Sequence, residues 1–168
     1  KHKKPIYNIT LLSFKLLMSL SVTLFLICVF FNNEIIEFRY ANGAFQDLNK
    51  VLNYSYIILP TLMGCFLCVS LTYIFGTLLT ANGNLLHLNY ISLVGVILNV
   101  CLNLILIPQY GAFGSALTSL ATQFLVTIFQ IYFCFKFFKL YSFYDFFIPF
   151  FLFFSGLILI GIITCDIF

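Results

Sequence analysis

The chain has 168 residues, 62% of them hydrophobic and 8% charged, with a mean hydropathy of +1.10. A soluble domain carries about a quarter of its residues as charges, so this chain lacks the polar surface to face water and reads as a polytopic, all-α membrane protein. Its net charge of +3 leaves no nucleic-acid footprint, and where the charges fall matters more than their sum.

The chain opens on a basic cluster, Lys1 to Lys4, and Pro5 suits the first turn of a helix. Because the first residue is Lys and not Met, the sequence is expected to be processed or to be part of a longer chain. The first apolar run, about 9–31, is long enough to span at about 20 residues per crossing. No small-residue cleavage site follows it, so it does not read as a secretory signal. Lys15 interrupts this run near its start. Two roles stay open for it: snorkelling to the near surface, or a cation facing an aqueous cavity.

Residues 32–50 form the one substantial hydrophilic stretch, with Glu34, Glu37, Arg39, Asp47 and Lys50 and a turn signal at Asn42-Gly43. It is expected to be a solvated loop. A second span is expected over 53–80, with Tyr54 and Tyr56 in an aromatic belt. Pro60 should kink this helix or mark its first turns. Gly64 and Cys68 are spaced for close approach of another helix. Cys65 and Cys68 make a C-x-x-C spacing, but no His or acid shares their run, so all six cysteines read as small buried hydrophobes. A turn follows at Asn82-Gly83, and His87 reads as an interfacial residue.

The third and fourth spans, about 88–107 and 112–135, meet at Pro108-Gln109-Tyr110-Gly111. Proline lacks an amide donor and Gly111 opens the second run, so a tight turn is expected there. Asn99 and Asn103 are four residues apart and share one helix face, extended backwards by Ser92 and Gly95. On the next helix Gly111, Ser115, Thr118 and Thr122 share a face, with Ser119, Gln123, Thr127 and Gln130 beside them. The opposite side, Phe113, Leu117, Leu120, Phe124, Ile128 and Ile131, suits lipid. After Lys136 and Lys139 an interfacial connection holds Tyr141, Tyr144 and Asp145, and a fifth span is expected over 146–164. Five spans put the two ends on opposite sides. With the start cytoplasmic, six basic residues fall inside (Lys1, Lys3, Lys4, Lys15, Lys136, Lys139) and two outside (Arg39, Lys50), which sets the orientation.

The run from Asn99 through Asn103, Leu106-Ile107-Pro108-Gln109-Tyr110-Gly111 and Gly114-Ser115-Ala116-Leu117 resembles a segment of bacterial flippases for polysaccharide and oligosaccharide units. Leu78-Leu79-Thr80-Ala81-Asn82-Gly83-Asn84 is similar to the short loop before it, so the likeness covers roughly 78–122. These flippases belong to the superfamily that includes multidrug and toxin extruders. The resemblance implies a two-lobe, alternating-access transporter in the bacterial inner membrane. On that pattern this chain supplies part of the C-terminal lobe, with an N-terminal lobe and a final span elsewhere in the protein. The implied partners are membrane lipids and a lipid-linked oligosaccharide, with no nucleic acid and no cofactor or metal. Asn99, Asn103, Ser115, Thr118 and Gln123 would help line the hydrophilic path or its lobe interface, since hydroxyls and amides both donate to and accept from sugars; helix–helix packing without substrate contact is the other role open to these faces. Lys15 would attract a pyrophosphate. Pro108, Gly111 and Gly114 would form the structural turn.

A cation-coupled exporter of the same superfamily is the alternative, and acidic residues buried in spans would mark it. A polytopic membrane enzyme is a second alternative. The chain has five acidic residues and two histidines, and they assemble no Ser-His-Asp, H-E-x-x-H or phosphate-loop motif. No catalytic residue is therefore expected.

Overall fold

The computed structural model describes residues 3–40, 48–138, 148 and 151–159. The turn signal at Asn42-Gly43, Asp47, Lys139, Tyr141, Tyr144, Asp145 and both ends of the expected fifth span lie outside the described residues. Four helices are formed: α1 (Lys3–Phe30), α2 (Asn32–Tyr40), α3 (Leu48–Ala81) and α4 (Leu85–Phe138). Residues 151–159 are also helical, and no strand occurs among the described residues. Three helical stretches are long and apolar enough to cross a membrane: Asn8–Phe30, Ser55–Ala81 and Leu85–Phe138. The chain is thus a helical protein of membrane-spanning character.

A straight helix of α4's 54 residues would be about 81 Å long, far more than a bilayer needs. It does not run straight. Gly111 sits at φ 57, ψ −131, inside a helix that continues on both sides of it. The positive φ is open to glycine at no steric cost. Helical geometry runs through Pro108 to Tyr110, so the break falls on Gly111 alone and not across the four residues the sequence pointed to. Pro108 keeps a helical φ and only withholds its amide hydrogen, three residues before the chain turns.

The two arms of α4, 85–110 and 112–138, fold back on each other. Asn99 bonds Thr122, and His87 packs against Phe133 and Phe137 with ring centroids 5.3 and 5.0 Å away. Near the turn, a Cβ on Gly114 would collide with the carbonyl of Leu106. Each arm is about 39–40 Å long at about 1.5 Å per residue, enough for one crossing.

α3 lies between α1 and α4, and the α1 and α4 backbones do not approach each other closely. α1 runs antiparallel to α3, with Phe14 beside Phe75 and Ser21 bonded to Ser70 at 2.7 Å. The buried face of α1 is Thr10, Phe14, Met18, Ser21, Val22 and Leu26, a helical spacing. α3 runs parallel to the second arm of α4: Gly64 meets Leu120, Thr72 meets Thr127 and Gly76 meets Gln130. Leu120, expected to face lipid, therefore turns toward α3. The α3 face is small at every fourth residue, Gly64, Cys68, Thr72 and Gly76, so the helices can approach closely. Phe14, Met18, Ile74, Phe75, Leu78, Leu79 and Cys134 form the apolar core at one end.

The order is up, down, up, down. The start of α1 with Lys15, the Gly83 turn and Lys136 share one end. α2 and Gly111 share the other.

The stretch expected to be a loop starts as a helix. α2 follows α1 after a break at Phe31 alone, and the Ile35 amide still bonds the Phe31 carbonyl at 3.0 Å. Glu34 in its first turn and Arg39 in its last oppose the helix dipole favourably. Ile36 is buried and pins the helix down. Asn32 makes the tie to α3: its Nδ2 donates to the Tyr56 carbonyl at 2.7 Å. That carbonyl is four residues before Pro60, whose ring nitrogen has no hydrogen to give it. Asn32 replaces the bond that Pro60 removes from α3.

Candidate functional site

The polar residues of α4 meet along the seam between its arms. Asn103 Nδ2 donates to Asn99 Oδ1 at 2.9 Å, and Asn99 Nδ2 donates to Thr122 Oγ1 at 3.0 Å. The Thr122 and Thr118 hydroxyls donate in turn to the Thr118 and Gly114 carbonyls at 2.8 and 2.9 Å. This chain of bonds joins the arms at their middle. Asn99 lies fourteen residues from Leu85 and eleven from Tyr110, about 21 and 16 Å along the helix axis. Amides and hydroxyls in hydrocarbon must find such partners, because lipid offers none.

A second cluster joins α3 to the second arm. Gln123 Nε2 donates to Thr72 Oγ1 at 2.9 Å, and the Thr72 and Thr127 hydroxyls lie 2.9 Å apart. The Thr127 hydroxyl is 2.7 Å from the Gln123 carbonyl and 3.1 Å from the Cys68 carbonyl. Cys65 and Cys68 do not pair with each other. The Cys65 thiol instead reaches the Ser119 carbonyl at 3.8 Å.

Between these clusters lies a cavity of about 360 Å³, at the small end of ligand sites. Its polar lining is Thr72 from α3, Ser92 and Asn99 from the first arm, and Thr122, Gln123 and Gln130 from the second. Gly95 and three valines complete it. Every lining group is uncharged. Gly95 keeps the arms close, since a Cβ there would stand 2.5 Å from Val126 Cγ2.

Of the residues singled out from sequence, Asn99 and Gln123 line this cavity, and Asn103 stands behind Asn99. Thr118 is fully buried in the arm-to-arm seam and Ser115 is half-buried one turn earlier, so neither reaches the cavity. Lys15 is exposed on α1 and does not line the cavity. Pro108, Gly111 and Gly114 are at the hairpin turn, about 16 Å along the arm from Asn99. Sequence reasoning missed Thr72. The signal was there, in the four-residue spacing of Gly64, Cys68, Thr72 and Gly76. Among the described residues no three metal-ligating side chains come together.

The fold and cavity define a membrane protein built of antiparallel spans with a neutral polar site at mid-depth. Compared with family models, with curated proteins and with solved structures, the chain gives no match.

Proposed function

We propose that the chain is part of a transporter that carries lipid-linked oligosaccharide units across the bacterial inner membrane by alternating access. The observation that carries this reading is the cavity between α3 and the two arms of α4. It lies near the middle of the spans, and amides and hydroxyls line it with no charged group. Groups that both donate and accept suit a polyhydroxyl ligand, and polar groups at membrane depth are costly enough to mark a pathway. The likeness of residues 78–122 to oligosaccharide-unit flippases supports the same reading. A coupled exporter would place a carboxylate in its path, whereas this lining is neutral. A second lobe, the rest of a two-lobe transporter, would cover the apolar outer face of the first arm, where Leu86, Tyr90, Ile97 and Leu104 are exposed.

Deleting the gene tests this. Surface glycan should be lost, and the lipid-linked unit should build up on the cytoplasmic leaflet. Normal surface glycan in the deletion strain would overturn the proposal.

A further inference from the structure

Most of the cavity's polar groups are already bonded to one another. Asn99 accepts from Asn103 and donates to Thr122, and Gln123 donates to Thr72. Gln130 differs. It is 2% exposed, its Oε1 is buried without a hydrogen-bond partner, and no bond to any described residue ties its amide. Burying an unbonded amide costs about 1–3 kcal/mol, so the fold carries this residue at a loss. Small-to-large packing does not explain it, because Leu would fill the same space against Gly76 without the penalty.

The arm register supplies the second group. Gly95 faces Val126 and Asn99 faces Thr122. Continuing that pairing toward the Gly83 end brings Ser92 level with Phe129 and Gln130. Ser92 also lines the cavity, and its hydroxyl is likewise untied among the described residues. Gln130 and Ser92 thus bring two untied polar groups to the Gly83 side of the cavity, one level beyond Gln123, whose Oε1 is also untied among the described residues.

We infer that Gln130, assisted by Ser92, is the specificity-determining contact of this cavity, and that it takes a neutral sugar residue, while Asn99 and Asn103 hold the arms together. The Gln130 Oε1 is shut against Gly76, so the amide hydrogens are what this residue offers the cavity, and they suit sugar hydroxyls or an acetamido carbonyl. A charged sugar would lose its hydration to a lining that has no counter-charge. This rests on the transporter reading above, so the test has two separate arms.

In the first arm, the purified full-length protein in lipid nanodiscs is probed by saturation-transfer NMR. The probes are methyl glucoside, the methyl glycoside of N-acetylglucosamine, and methyl glucuronide as a charged control. At least one neutral glycoside should show transfer and the glucuronide none. Gln130→Leu should weaken the neutral signal about tenfold, as expected for two ordinary hydrogen bonds, while its melting temperature stays level or rises. Absence of transfer from both neutral probes, or transfer unchanged in Gln130→Leu, would overturn the inference. A melting temperature that falls in Gln130→Leu would also overturn it, because the amide would then be structural. Ser92→Ala should give a smaller loss in the same direction.

In the second arm, surface glycan is measured in cells carrying Gln130→Leu at normal abundance, and it should fall. If the glycosides bind through Gln130 but deleting the gene leaves surface glycan intact, the sugar site stands and the transport reading fails. If deletion abolishes surface glycan but Gln130→Leu does not change it, the inference fails and the transport reading stands.

Discussion

Replacing Asn32 with alanine should destabilise the protein by about 1–2 kcal/mol, and replacing Pro60 as well should remove most of that cost. The reasoning starts from one carbonyl. Tyr56 would normally accept from the amide of residue 60, but Pro60 has none, and Asn32 Nδ2 takes its place at 2.7 Å. Without Asn32 the half-buried carbonyl loses that donor, and removal of the unpartnered Asn32 Oδ1 offsets part of the cost. A buried group left unbonded costs about 1–3 kcal/mol, and membrane hydrogen bonds fall at the low end. In a Pro60→Ala background residue 60 has an amide again and bonds Tyr56 itself, so Asn32→Ala should cost less than about 0.5 kcal/mol. The assay is reversible SDS unfolding in mixed micelles for the four proteins of the cycle. Equal costs of Asn32→Ala in both backgrounds, within the roughly 0.3–0.5 kcal/mol expected of independent sites, would refute the account of this joint.

Other expectations follow from the same geometry. Gly114→Ala should lower abundance and unfold the hairpin at a cost of about 2 kcal/mol or more, because its Cβ meets the Leu106 backbone, which cannot move aside. Gly95→Ala should also be destabilising in the same melting assay, by about 1–3 kcal/mol, since its Cβ would meet Val126 Cγ2, a methyl on a stiff β-branched side chain. Ser21→Ala and Ser70→Ala should show a coupling of roughly 0.6 kcal/mol in a double-mutant cycle, the size typical of a hydroxyl pair between spans. Reporter insertions at Gly83 and just after Phe138 should be cytoplasmic, and insertions at Gly111 or the end of α2 should be outside. A cytoplasmic reporter at Gly111 would contradict the up-down order.

The apolar helices over the first four expected spans and the hairpin at Gly111 were legible because the signals are local. Apolar runs near bilayer length are set by hydrophobicity, and Gly111, just after Pro108 and between two such runs, is where the chain can take a positive φ. α2 was not legible. Its charges suggested solvent, and its helicity depends on Ile36 and Asn32 docking against α3, a contact between distant residues. The Asn99 and Asn103 face was visible by spacing, but spacing cannot say that Asn103 donates to Asn99 or that Asn103 Oδ1 is left buried without a partner. The same limit hid Gln130, one of several polar residues on the second arm, which becomes distinctive only once its neighbours' bonds are known. Lys15 was singled out because a charge in a span is rare. In the folded chain it is exposed on α1 and does not line the cavity.

The most direct test of the transport reading is translocation in proteoliposomes holding the purified full-length protein. A lipid-pyrophosphate-linked oligosaccharide is loaded in the inner leaflet, and its appearance outside is followed with a membrane-impermeant glycosidase. The expected result is cleavage that rises with time, exceeds that of protein-free liposomes and slows about tenfold with Gln130→Leu. Cleavage no faster than in protein-free liposomes, from protein that is folded and correctly inserted, would contradict the proposed function.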